Sequence, residues 1–258
     1  MSKIITFNAN GIRAAARKNF FDWLANQNAD IVCIQETKAQ VQDLEGEALY
    51  YPFPYNYYHS GVKKGYSGVA LYLKHKPDQI QEGIGWEDID REGRFLSATY
   101  GDLEVISLYL HSGTSGEERQ KVKEDFMSRF LPYLIEKLKD NKKVILCGDI
   151  NIAHKEIDIK NWKANQNSSG FLPHERQWLT NLFSNGYSDA FRLVNKNEAE
   201  YSWWSYRGFA RKTNAGWRID YQIISDNLKD KVICAQIYKD EVFSDHAPVI
   251  IEYDFFFN

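Results

Sequence analysis

Val144-Ile145-Leu146-Cys147-Gly148-Asp149-Ile150-Asn151 decides the fold. Four apolar residues run directly into a carboxylate and an amide. A continuous apolar run of this length fits a strand buried on both faces, because neither face meets water. The arrangement occurs twice more upstream. Ile31-Val32-Cys33-Ile34 leads into Gln35-Glu36-Thr37-Lys38, and Ile4-Ile5-Thr6-Phe7 leads into Asn8-Ala9-Asn10-Gly11. In sheets covered on both faces, ligands bind where strands end. Three strand ends therefore carry Asp149 with Asn151, Glu36, and Asn8 with Asn10, and a distant Ser244-Asp245-His246 completes the set. Oxygen ligands for a hard cation, a carboxylate to deprotonate water and a histidine to meet charge are the kit for metal-assisted phosphate ester hydrolysis.

Working outward, further strands are predicted at 54–59, 68–74, 94–100, 103–110, 219–225, 232–238 and 247–254, with the three above at 3–8, 30–35 and 142–148. Gly101-Asp102 between two β-rich runs is a tight-hairpin signal. Helices are predicted over 20–26, near 116–139 and at 173–184. The second starts with Ser115-Gly116-Glu117-Glu118, a capping-box pattern. Its residues Val122, Phe126, Phe130, Leu134 and Leu138 recur every four positions, and Pro132 should kink it. The third opens on Pro173, which a first turn tolerates, and stops before Gly186. Many strands and few helices in mixed order predict an α/β protein of two packed sheets flanked by helices. With no internal repeat, low-complexity tract or Pro/Ser-rich linker, residues 1–258 read as one domain.

The net charge of −3 advertises no polyanionic partner, so binding to nucleic acid would need a local basic face. Three scattered cysteines, Cys33, Cys147 and Cys234, lie in apolar segments and read as buried reduced thiols. The N-terminal apolar run is too short for a signal peptide, and no run reaches membrane-spanning length. A cytoplasmic protein without membrane association is expected.

Taken singly, the polar clusters have ordinary readings. Glu36 could be a surface carboxylate at a strand end. Gly148-Asp149 with Asn151 could be a turn, although in an extended segment residues two apart share a face. His246 could be a solvated loop residue, or an imidazolium held for a phosphate with an aspartate behind it.

The ordered islands decide between these readings. Phe7-Asn8-Ala9-Asn10-Gly11-Ile12-Arg13, Ile34 to Lys38, Gly148 to Asn151, Gly216-Trp217-Arg218-Ile219-Asp220-Tyr221 and Ser244-Asp245-His246-Ala247-Pro248 occur in this sequence. Glu156 to Asn161, Gly170-Phe171 with Glu175-Arg176-Gln177, and Tyr201-Ser202-Trp203-Trp204 join them. From about residue 3 to residue 253 the chain resembles the exonuclease III family of abasic-site DNA endonucleases, within the endonuclease/exonuclease/phosphatase superfamily.

The resemblance implies a four-layer α-β-β-α sandwich of two mixed sheets, DNase I-like, with its site at one edge. It implies a Mg²⁺- or Mn²⁺-dependent nuclease that cuts 5′ to abasic sites, with 3′→5′ exonuclease and 3′-end-cleaning activity. Glu36 would bind the metal, with Asn8, Asn10 and Asp245 near it. Asp149 would orient or deprotonate water, and Asn151 would hold that water or the phosphate. Tyr109 and His246 would contact the phosphate, and Asp220 would pair with His246. Trp203, Trp217 and Ile219 would form a pocket for an extruded baseless sugar, left unobstructed by Ser168, Ser169 and Gly170. Arg13, Asn165 and Ser112 would complete the contacts to double-stranded DNA bearing abasic sites or 3′ ends, and a monomer would suffice.

Two positions depart from the family pattern. Asn10 stands where some relatives have Asp. After Tyr109 comes Leu110-His111-Ser112 instead of Pro followed by Asn or Gln, so Ser112 replaces an amide, with His111 a possible substitute. Arg13, Arg17, Lys18, Lys63, Lys64, Lys160, Lys163, Arg207, Arg211 and Lys212 lie in loops where they could track a phosphate backbone, or simply be solvated. Three alternatives stay open: a predominantly 3′→5′ exonuclease, a phosphatase or diesterase acting on inositol phosphates or phospholipids, and an inactive binding module. Filled catalytic positions count against the last.

Overall fold

The computed structural model describes residues 1–196 and 198–257. Two six-stranded sheets form its centre. The first contains β1 (Ser2–Asn8), β2 (Ile31–Gln35), β3 (Tyr55–His59), β4 (Val69–Leu73), β11 (Val232–Ile237) and β12 (Val249–Tyr253), in the order β11-β12-β1-β2-β4-β3. The second contains β5 (Gln79–Glu82), β6 (Phe95–Tyr100), β7 (Leu103–Tyr109), β8 (Lys143–Asp149), β9 (Tyr187–Asp189) and β10 (Asp220–Ser225), in the order β5-β6-β7-β8-β10-β9. Each sheet is mixed: β1 with β2 and β7 with β8 are parallel, and the other pairs are antiparallel.

The apolar runs are continuous because each strand serves two cores in alternation. Ile4, Ile31, Cys33, Val69 and Leu71 meet Leu96, Val105, Ile145, Cys147 and Ile224 between the sheets. Their neighbours Ile5, Phe7, Val32, Ile34 and Tyr72 turn outward onto α1 (Ile12–Ala16) and α2 (Phe20–Ala25), through Ile12, Phe20, Phe21 and Leu24. On the opposite side Ile106, Leu108, Val144, Leu146 and Ile223 pack on α4 (Glu117–Glu136) and α5 (Pro173–Ser184), through Phe126, Phe130, Leu134, Trp178 and Leu182. The short helices α3 (Glu87–Asp90) and α6 (Ala190–Val194) complete the set. The result is the expected four-layer α-β-β-α sandwich.

Two buried glutamines fix how the sheets sit on each other. Gln35 on β2 accepts from Thr6 Oγ1 at 3.2 Å and donates across to Ser107 Oγ on β7 at 3.1 Å. Gln222 on β10 donates to the Ile4 carbonyl at 2.9 Å and accepts from Tyr253 OH at 2.9 Å. Unpaired, either amide would cost about 1–3 kcal/mol, so the bonds select one docking register.

The ten expected strands are present, with ends moved by one or two residues. Short β5 and β9 were not expected, since three or four polar-rich residues carry too little pattern. The capping box does not form. Gly116 is the N-cap with φ 113°, and no side chain caps the helix. α4 runs on through Pro132. Its Val122 is exposed and Lys123 is buried instead, which the four-residue spacing did not foretell. Cys33 and Cys147 are buried as expected, but Cys234 is exposed because it faces outward on edge strand β11.

Ahead of β10 lies a buried ion cluster. Arg218 donates to Asp158 Oδ1 at 2.8 Å and to Asp189 Oδ2 at 2.6 Å, and Arg192 Nε reaches Asp158 at 3.1 Å. Burial alone would raise the Asp158 carboxyl; Arg218 and Arg192 outweigh it and hold the group at about 2. A depressed carboxylate contributes stability above its unfolded value, near 4, and loses it as pH falls toward 2. Asp158→Asn should therefore cost roughly 3–5 kcal/mol in urea unfolding near neutral pH. The gap from wild type should narrow as pH drops from about 4 toward 2; a constant gap would contradict this.

Candidate active site

Strand register places the polar ends. The parallel β1–β2 pair aligns Asn8 with Gln35, so Glu36 follows one step beyond. Parallel β7–β8 aligns Tyr109 with Asp149, and antiparallel β8–β10 aligns Asp149 with Asp220. Docking the sheets then brings Glu36 from one to Asp149 from the other. Asn8 joins them: its Nδ2 donates to Glu36 Oε1 and to Asp149 Oδ2, both at 2.8 Å. Asn8 Oδ1 accepts the Asn10 N–H at 2.9 Å, and Asn10 Nδ2 donates to Asp245 Oδ1 at 2.9 Å. Trp203 Nε1 donates to the other Asp245 oxygen at 3.0 Å.

His246 lies between two carboxylates. Its Nδ1 is 2.9 Å from Asp220 Oδ2, and its Nε2 is 3.8 Å from Asp149 Oδ2. Ser202 Oγ donates to the same Asp220 oxygen at 2.6 Å and accepts the Asp220 N–H at 3.1 Å. Burial would strip the imidazole of its proton, but Asp220, then Asp149 and Asp245, raise it to about 10. Burial raises Asp149, and the charge of Asp220 adds to it, against the pull of His246. Burial and the nearby Glu36 charge also hold the Tyr109 phenol well above its usual range, so it keeps its proton. The Tyr109 ring is covered by the Arg94 guanidinium at 4.6 Å.

Four residues here hold left-handed backbone: Asn10 (φ 44°), Glu36 (51°), Lys38 (50°) and Asn151 (54°). Such conformations cost free energy for residues with a side chain and persist where surrounding structure enforces them. For Asn151 this overturns the extended reading. The chain folds back, the Asn151 N–H donates to Asp149 Oδ1 at 2.9 Å, and its Nδ2 donates to the Leu110 carbonyl at 2.9 Å. For Lys38 it delivers the ammonium to Glu36 Oε2 at 2.8 Å and to Asn10 Oδ1. Sequence reading gave Lys38 no role; nothing in its spacing shows the left-handed turn.

An open cleft of about 850 Å³ lies over these groups. Glu36, Tyr109, Ser112, Asp149, Asn151, Asn165, Trp203, Trp217, Ile219, Asp245 and His246, all expected site residues, line it. Trp203 and Trp217 are half-buried and meet edge to face, with ring centroids 6.1 Å apart. Asn8 and Asp220 lie buried behind the floor, and Asn10 reaches it through Asp245. Arg13 is exposed on α1 and does not line the cleft. Arg207 does, while Lys63, Lys160, Lys163 and Lys212 are exposed elsewhere. His111 does not substitute for the missing amide. It turns inward, fully buried, 3.1 Å from Glu92 Oε2, and burial lowers it to about 4. Ser112 remains at the cleft with its Oγ 2.9 Å from Thr114 Oγ1.

Glu36, Asp149 and His246 offer ligand atoms within 4.8 Å of one another. Of the expected metal set of Glu36, Asn8, Asn10 and Asp245, Glu36 belongs to this group, Asn8 bonds it directly, and Asn10 bonds Asp245 beside it. Protonated His246 cannot ligate, so the usable donors are oxygens, as a hard cation requires. The Lys38 ammonium seated on Glu36 and Asn10 shows that positive charge is welcome there. The residues fit a metal ion.

Fold and site together define a four-layer α/β hydrolase of phosphate esters. The model of the Endonuclease/Exonuclease/phosphatase family matches residues 5–246, and the chain belongs to that family. An exodeoxyribonuclease of Bacillus subtilis (strain 168) is 44% identical over 250 residues, covering 96% of this chain and 97% of that one. The DNA repair nuclease APEX1 of Danio rerio is 37% identical over 252 residues, covering 96% and 81%. An AP endonuclease structure from Archaeoglobus fulgidus superposes with a TM-score of 0.86 at 27% identity, covering 99% and 100%. The 3′ phosphatase NExo from Neisseria, solved with a product DNA hairpin, gives 0.89 at 27% identity, with the same coverage. The protein is a phosphodiester hydrolase of the exodeoxyribonuclease and AP endonuclease type.

Asp220 is the nearest charge holding a proton on His246. Asp220→Asn should lower the His246 titration point from about 10 by roughly one to three pH units, read from its imidazole resonances. An unchanged titration would assign that proton to another partner.

Proposed function

We propose that this protein cuts the DNA backbone 5′ to abasic sites and trims and cleans 3′ ends at the same site, with Mg²⁺ or Mn²⁺ as its cation. The observation that carries this reading is the half-buried wall of Trp203 and Trp217, with Ile219, lining one cleft with Asp149 and His246. A sugar without a base fits against such a wall, and extrusion costs least where no base leaves the stack.

In this reading Asp149, its basicity raised by burial, takes the proton from the attacking water. Asn151 keeps one amide N–H on Leu110 and offers the rest of its amide to the water or a phosphate oxygen. His246, held as imidazolium by Asp220, donates to the phosphate. Tyr109, which keeps its proton, donates a hydrogen bond to the same charge. Glu36 holds the cation, with Asn8, Asn10 and Asp245 fixing its surroundings. When bound, that cation supplies Lewis-acid stabilisation of phosphate charge. Ser112, Asn165, Arg207 and the exposed lysines contact the backbone. One copy carries every group named, so residues 1–258 suffice as one domain and as a monomer.

The test is an end-labelled duplex with one abasic-site analogue, incubated with Mg²⁺ or with EDTA. Product sizes separate incision from trimming. Incision only with Mg²⁺ is expected; an intact strand, or full activity in EDTA, would sink the proposal. Asp149→Asn keeps shape and removes the base, so the rate should fall roughly 10²–10⁴-fold with DNA affinity kept. A loss under threefold would move the base elsewhere. Trp217→Ala should slow internal incision more than 3′ trimming. Equal losses would reduce Trp217 to core packing.

A further inference from the structure

Behind the cleft, in the helical layer, a lysine and a glutamate are both fully buried. Lys123 on α4 and Glu175 on α5 pair at 2.6 Å, each with no side-chain exposure. Burying an ion pair costs desolvation, and apolar residues of the same size often do as well or better for stability. Helix packing alone therefore does not account for the pair. Its remaining bonds run to the cleft. Lys123 Nζ donates to the Asn151 carbonyl at 2.9 Å. Glu175 Oε2 accepts the Gly170 N–H at 2.6 Å and the Leu172 N–H at 3.1 Å. Gln120 donates to Glu175 Oε1 at 3.1 Å and accepts from Ser169 Oγ at 2.7 Å.

Two cleft walls thus share one anchor. They also touch each other: a Cβ on Gly170, whose φ is 92°, would lie 3.0 Å from the Asn151 carbonyl oxygen and 3.1 Å from the Trp217 ring. A third wall passes over the anchor, since a Cβ on Gly113 would lie 1.8 Å from Gln120 Oε1 and 2.5 Å from Ser169 Oγ. The carboxylate accepts four hydrogen bonds, as many as its lone pairs allow.

We propose that Lys123, Glu175 and Gln120 are positioning residues, which lock Asn151 to the 168–170 loop so that the water-holding side and the sugar-pocket side of the cleft meet the DNA backbone in register. This deepens the proposed function and rests on the roles given there to Asn151 and the pocket. Loss of register matters because an error of about 1 Å at reacting groups can cost on the order of 100-fold in rate.

The experiment compares wild type with Glu175→Gln, Gln120→Leu and the double variant Lys123→Met/Glu175→Leu. The single carboxyl change removes one acceptor oxygen and leaves buried donors unpaired, so it should also destabilise. The double variant leaves no buried charge unpaired, so it should be the less destabilised of the two per bond lost, its remaining cost being the unpaired Gly170 and Leu172 N–H groups. Amide hydrogen exchange over 150–153 and 168–172 reads the lock without DNA. It should quicken in the double variant at least roughly tenfold while β7, β8 and β10 stay protected. Incision at an abasic site should fall roughly 10–100-fold in kcat, and 3′ trimming distinctly less. Gln120→Leu, which leaves the ion pair intact, should fold normally and show the same imbalance in weaker form. Unchanged exchange in folded variants, or full incision by a stable double variant, would overturn the proposal. Absence of incision by wild type would refute the proposed function, and hydrogen exchange would still decide the lock.

Discussion

One amide nitrogen holds the site together. Asn8 Nδ2 spends its two hydrogens on Glu36 and Asp149, which arrive from different sheets. The bond depends on how the sheets dock, which the apolar core between them and the buried glutamines fix. It also sets the electrostatic problem that the chemistry solves. Four carboxylates, Glu36, Asp149, Asp220 and Asp245, crowd one end of the sandwich against two cationic side chains, Lys38 and His246. An amide can orient carboxylates without neutralising them. The remaining negative charge is what makes the place receptive to a cation and what keeps His246 charged.

Much of this was legible because it depends on strand ends. A continuous apolar run is hard to satisfy except in a strand covered on both faces, and β1, β2 and β8 each carry their polar residues directly after such a run. Parallel register sets Asn8 beside Gln35 and Glu36, and only the docking of the second sheet, which no strand pattern shows, brings Asp149 to them. The tryptophans were legible through the family resemblance, since residue type alone does not separate half-buried Trp203 from its buried neighbour Trp204.

What was not legible depends on conformation between those ends. Nothing in the residue type tells Glu36 or Lys38 to take left-handed backbone; the neighbouring strands enforce it. Asn151 read as extended and is not. His111 looked available to substrate, but the half-buried carboxylate of Glu92 draws it inward. Lys123 interrupts the apolar face of a helix and reads there as an error of spacing, because its partners, a loop carbonyl at Asn151 and a carboxylate on α5 at Glu175, lie 28 and 52 residues away. The capping box failed since a glycine with φ 113° starts α4 where a serine was expected to act.

The claim with most resting on it is that Asn8 assembles the cation site from both sheets. It is tested most directly by titrating Mn²⁺ into Asn8→Ala and wild type, with circular dichroism to verify that the sheets remain folded. The account predicts affinity lower by roughly 10–100-fold in a folded variant, as for loss of a group that orients a metal ligand. A folded Asn8→Ala protein that binds Mn²⁺ as tightly as wild type would contradict it.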